Sequence, residues 1–147
     1  MRRALTALCV LLAFAAGCGS GGEKRLSKEE YANRADAACR RYNEGTRPLG
    51  TPQSMPALAK VADRSLPLLD RAIRDLRALR PPRDEETTVR SWLRQLSLLR
   101  GDVVRIRDRA RANDARGVRA VVPAATQRNA RFSQLATQLG MTVCNQG

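Results

Sequence analysis

Four cysteines, Cys9, Cys18, Cys39 and Cys144, and a cluster of arginines are the residues of this 147-residue chain best suited to chemistry, and histidine is absent. Without an imidazole, a serine or cysteine nucleophile lacks its commonest base and a transition metal its commonest ligand. No Cys-x-x-Cys pair, phosphate-cradling glycine loop, helical zinc motif or calcium loop occurs. The chain therefore reads as non-catalytic, with no cofactor and no metal. Arg100, Arg105, Arg107, Arg109, Arg111, Arg116 and Arg119 crowd one stretch, diluted only by Asp102, Asp108 and Asp114. Such a cluster has the chemistry to hold a polyanion. On a helix Arg105 and Arg109 share one face and Arg107 and Arg111 another, so it forms a collar around a helix end and not a stripe.

Charge and composition narrow the polyanion. The formal charge is +13, yet only Lys24, Lys28 and Lys60 of the 27 basic residues are lysine. With abundant alanine, this looks like the coding bias of a GC-rich genome, which makes arginine abundance by itself a poor marker of a site. Aromatic residues make up 3% of the chain, too few for base stacking, and no nucleic-acid partner is expected.

The amino terminus carries the clearest address. Met1-Arg2-Arg3 is a short basic region, and Ala4 to Ala16 is apolar apart from Thr6. As a helix these thirteen residues span about 20 Å, short of the ~30 Å hydrocarbon core, so they read as an export signal and not as a permanent span. Ala15-Ala16-Gly17-Cys18 resembles the lipobox of bacterial lipoproteins. The resemblance implies that residues 1–17 are removed and that Cys18 receives a diacylglyceryl group and further acylation, palmitate for example. Two or more chains anchor stably where one holds only reversibly. The competing reading is ordinary cleavage after Ala13-Phe14-Ala15, which releases the protein. Residues 18–26, with Gly19-Ser20-Gly21-Gly22 and Glu23-Lys24-Arg25, have little to bury and read as a flexible tether. On this reading the chain is a cell-membrane protein held on the extracytoplasmic face. Cys9 leaves with the signal and Cys18 carries lipid, so Cys39 and Cys144 remain to form one disulfide in a compartment where such bonds persist.

The rest, residues 27–147, reads as an all-α domain. Ser27-Lys28-Glu29-Glu30 is a capping box, with Leu26 and Tyr31 placed as a hydrophobic staple, and a first helix runs to about Glu44. A second covers Ser54 to Leu79, where Pro67 is expected to kink or split it. Asp70 with Arg74 and Arg71 with Asp75 are spaced as solvent-face pairs within that helix. A third, about Asp84 to Asn113, carries the seam Val89, Trp92, Leu96, Leu99, Val103, Ile106 and Ala110, and its acidic start suits the helix dipole. After Asn113-Asp114 a fourth reaches Leu139, with Val118, Val121, Val122, Ala125, Phe132, Leu135 and Leu139 facing inward, a bend at Pro123, and Gly140 ending it.

Four amphipathic segments with short connections predict an antiparallel four-helix bundle closed by one disulfide. The runs Leu26 to Tyr31, Ala35 to Cys39, Leu79 to Pro82 and Leu139 to Cys144 together resemble small exported or lipid-anchored helical proteins of high-GC Gram-positive bacteria. That resemblance implies the bundle and the disulfide and brings no activity. The function expected is binding or scaffolding at the cell envelope, through a partner protein or other envelope component. The alternative is electrostatic binding of anionic wall polymers or lipid headgroups by the arginine collar. Carriage of a small apolar ligand between the helices would require a cavity, which a sequence does not display.

Overall fold

A computed structural model describes residues 24–146 as four α-helices joined by short turns, with no strand among them. The expected signal, the lipidation site Cys18 and most of the tether lie outside the described residues.

Helix α1, Lys28–Thr46, starts on the capping box: Ser27 accepts from the Glu30 amide, and the Glu30 carboxylate accepts from the Ser27 amide. The tether ends sooner than residue 26. The Leu26 amide donates to the Arg80 carbonyl, and Arg25 bonds the Pro81 carbonyl and Glu86. Lys28 pairs with Glu85. The acidic residues before the third helix thus also hold the entry of the first, beyond complementing a dipole.

Helix α2, Met55–Ala78, is capped by Ser54 and runs through Pro67 without a break. Proline there forgoes one backbone bond, but its ring sits on the exposed side while the Leu66 and Leu69 side chains are buried, and packing holds the turn. Asp70 and Asp75, expected to pair within α2, bridge to other helices instead: Asp70 to Arg100 at 2.6 Å and Asp75 to Arg41 at 3.0 Å.

Helix α3, Glu86–Arg111, follows a single turn of 3-10 helix, and helix α4, Ala115–Gln138, is capped by Asp114, whose carboxylate accepts from the Gly117 amide at 2.7 Å. Between α2 and α3 the partners are Arg77 with Ser97, Asp70 with Arg100 and Asp63 with Arg111, so numbers fall along one helix as they rise along the other. The start of α1, the α2–α3 junction and the end of α4 share one end of the molecule, where Gly140 approaches Ala32.

At that end α4 closes on Gly140, whose φ of +80° suits glycine, with Gly140 N to Thr137 O and Met141 N to Ala136 O both at 3.0 Å. Met141 is buried, and the chain turns back as a strap over residues 141–146. Cys144 bonds Cys39 with a Cα–Cα separation of 5.4 Å. Closing a loop of 105 residues removes unfolded-state entropy worth about 4–5 kcal/mol in the chain-entropy model.

The interior is divided. A main core at the strap end contains Tyr31, Ile73, Leu76, Trp92, Phe132, Leu135 and Leu139, with the Trp92 and Phe132 rings stacked 5.2 Å apart. A smaller one at the other end gathers Ala59, Ala110 and Val118.

Candidate functional site

Between the two cores the bundle is cleft, open to solvent. A cavity of about 880 Å³ opens where α1 stops, bounded by all four helices and by the strap. The cause is a mismatch of length: α1 has 19 residues, while α2, α3 and α4 have 24, 26 and 24. Past Thr46 no fourth helix fills the space opposite the α3 seam. The seam records this directly. Val89, Trp92, Leu96 and Ala110 are buried, whereas Leu99, Val103 and Ile106 are only half-buried and line the cavity. Val122, expected to face inward, is 47% exposed, while Val118 one turn earlier is buried against α2 and α3.

The wall is apolar along its depth, with Leu69, Leu96, Leu99, Val103, Ile106 and Phe132, and polar at its mouth, with Arg40, Asn43, Glu44, Arg47, Thr51 and Gln146 exposed. Burial raises the pKa of the Tyr42 phenol on this wall, which keeps it protonated and able to donate. Apolar depth with a polar rim, at a volume inside the usual ~300–1,000 Å³ of ligand pockets, is what binding of a small organic molecule requires.

Two buried carboxylates support the cavity, Asp36 from behind by holding the strap and Asp102 on the wall itself. Asp36 accepts from the Thr142 amide at 2.8 Å, the Thr142 hydroxyl at 3.0 Å, the Val143 amide at 3.0 Å and the Cys144 amide at 2.9 Å. Burial by itself raises the Asp36 pKa, but the hydrogen bonds from the Cys144, Thr142 and Val143 amides and the Thr142 hydroxyl together outweigh it and leave the group below its ordinary value. The strap that supplies Val143, Cys144 and Gln146 to the wall is therefore held twice, by a covalent bond and by this carboxylate. Asp102, 1% exposed, lines the cavity from α3 and takes both oxygens to Arg128 of α4, at 2.8 and 2.7 Å, and one to Arg105.

The sequence reading passed over Asp36 and took Asp102 only as diluting the arginines, although the position of each carries a signal. Asp36 falls on the stripe of Ala32, Ala35 and Cys39, and Asp102 on that of Leu99, Val103 and Ile106, so each is a charge on an apolar face. Their partners were not legible, since Thr142 lies 106 residues from Asp36 and Arg128 lies 26 from Asp102.

The arginine collar divides. Arg100 makes two bonds to Asp70, at 2.6 and 3.1 Å, and these hold the Asp70 carboxyl below its ordinary pKa. Arg105 pairs with Asp102, Arg107 with Asp108 at 2.8 Å, Arg109 with Asp114 at 3.1 Å and Arg111 with Asp63 at 2.7 Å. Arg116 and Arg119 are exposed and form no ion pair among the described residues. Five of the seven are thus engaged by the protein's own carboxylates, Arg100 and Arg111 across helices. No group of three or more potential metal ligands occurs among the described residues, and no helix there is long and apolar enough to cross a membrane.

Comparison of the chain with protein-family models, with curated proteins and with solved structures yields no match.

Proposed function

We propose that this protein is a non-catalytic binding module, held on the extracytoplasmic face of the cell membrane by lipid on Cys18, and that it binds through the cavity at the end of α1. The cavity carries the reading: an open cleft of about 880 Å³ with an apolar wall and a polar rim has the size and character of a ligand pocket. The anchor rests on the lipobox-like Ala15-Ala16-Gly17-Cys18 and on the Cys39–Cys144 disulfide, a bond typical of compartments outside the cytoplasm.

The collar is the weaker surface. Its arginines are mostly paired, and it lies at the end of α3 away from the tether, about 39 Å along a 26-residue helix. A domain upright on its tether holds the collar far from the headgroups of its own membrane, outside a Debye length of about 8–10 Å.

Site-specific photocrosslinking in the native envelope tests the choice of surface. With a photoreactive residue at Gln146 on the cavity rim, an adduct is expected. One at Arg116 on the collar should give none. Adducts at Arg116 alone overturn the cavity in favour of the collar. Release of Cys18→Ala protein from the membrane fraction is the expected outcome for the anchor, and unchanged retention refutes it.

A further inference from the structure

The shape and charge of the cavity say what class of molecule it takes. Its long dimension follows α3: Leu96 and Ile106, both on the wall, are ten residues apart, about 15 Å of helical rise. Across from them α2 contributes Leu69, Ala72 and Leu76. The hollow is thus a trough with aliphatic walls, longer than a single ring needs and suited to an extended hydrocarbon chain. Asp102, the one carboxylate at depth, is occupied by Arg128 and Arg105, so the interior offers no free charge to a ligand.

The mouth has the opposite character. Arg40 and Arg47 stand exposed on the rim, seven residues apart and so on one side of the α1 end, with no ion pair among the described residues. Glu44 between them is the only acid on the rim, which leaves it net positive, and Asn43, Thr51 and Gln146 add neutral hydrogen-bonding groups. A chain buried along α3 would present its head to these two guanidinium groups. Arginine suits carboxylate and phosphate alike, because its planar fork donates two parallel hydrogen bonds to either.

We propose that the cavity binds an amphiphile with one long aliphatic chain and an anionic head, the chain lying between Leu96 and Ile106 and the head at Arg40 and Arg47. The proposal rests on the cavity being the binding surface and adds to it the ligand's chemistry. The strap belongs to the same site. Asp36 and the Cys39–Cys144 bond keep Val143 and Gln146 in the wall, so the pocket keeps this shape only while the carboxy-terminal residues are docked.

The full lipidated protein in phosphatidylcholine vesicles is illuminated with a diazirine-bearing C16 fatty acid or the matching C16 alcohol, and the labelled peptides are mapped. The acid should label the α3 peptide spanning Leu99 to Ile106 and the α4 peptide around Phe132. Ala125→Trp, which fills the trough from α4, should abolish that label while contact of the tether with lipid persists as an internal control. Arg40→Gln and Arg47→Gln, exposed substitutions that spare the core, should each weaken labelling by the acid about three- to fivefold and leave the alcohol unchanged, as expected of partly solvated charge pairs. A phosphate-headed probe of the same chain separates the two anions: stronger labelling assigns the site to phosphate heads, weaker labelling to carboxylates. Equal labelling by acid and alcohol, indifferent to both arginine variants, refutes the anionic head and leaves the cavity as a binding surface. Label confined to the tether with every probe refutes the ligand class, and a rim adduct in the native envelope would then point to an occupant of other chemistry in the same cavity.

Discussion

Asp36→Asn keeps the size of the side chain and removes its charge, which makes it a sharp probe of the strap. Four donors meet the carboxylate, three of them backbone amides of Thr142, Val143 and Cys144. An amide side chain has one oxygen left to accept and turns its own donors toward at least two of the four. A donor left without an acceptor costs about 1–3 kcal/mol when buried, and this strap is partly wet, so the lower figure applies and the loss should be about 2 kcal/mol. Asp36→Ala removes all four acceptor contacts and should cost about 4 kcal/mol on the same basis. The urea midpoint at pH 7, at constant m, reads this directly. The disulfide should modulate it: in a Cys39→Ser, Cys144→Ser background the strap frays, so the Asp36 effect should shrink, and a double-mutant cycle measures by how much. The pH dependence has a definite sign. Because the folded carboxyl lies below its ordinary value, the stability it contributes is complete above the unfolded pKa near ~4 and is lost as pH falls through the folded value. The gap between wild type and Asp36→Asn should stay flat from about pH 8 to 5 and narrow below about pH 4. A loss under about 0.5 kcal/mol, within the range of ordinary surface changes, or one indifferent to the disulfide, refutes the view that Asp36 docks the strap.

Gly101 sits mid-α3 without a positive φ, and a methyl group added there would meet no atom within 4 Å, so Gly101→Ala should stabilise the protein by about 0.5–1 kcal/mol, read as a rise in urea midpoint. Gly117→Ala should do the reverse, because its methyl would strike the Asp114 cap and lie 2.7 Å from the Arg109 side chain; a lowered melting temperature is the expected reading. Arg128→Met strips the buried Asp102 of its principal partner and should cost about 2–3 kcal/mol, somewhat below the usual figure for a broken buried pair because Arg105 remains. Adding Asp102→Leu should recover much of that loss in thermal melts, since the uncompensated charge is gone.

Local rules carried most of the elements. The capping box at Ser27, the Asp114 cap and the Gly140 stop are each set by a few neighbouring residues, and the structure places helix ends within a residue or two of them. The all-α class and the Cys39–Cys144 pair were readable for the same kind of reason, one from a helical apolar period and one from the scarcity of alternatives. Pro67 and Val122 went the other way. A proline's local cost does not reveal that packing on the opposite face will hold the helix together, and a valine's polarity does not reveal whether anything stands across from it.

The sequence by itself determined where helices begin and end, which residues favour the interior, and which cysteines were free to pair, because these depend on contacts a few residues apart or on simple elimination. Only the tertiary structure decided that α1 falls short of its neighbours in space, that Asp36 and Asp102 meet partners from distant segments, and that the arginines of the collar are largely neutralised by carboxylates, some of them on other helices. A cavity is a volume left between elements, and no side chain encodes it alone. The same α3 seam is core at Trp92 and cavity wall at Val103, where one facing helix has ended at Thr46.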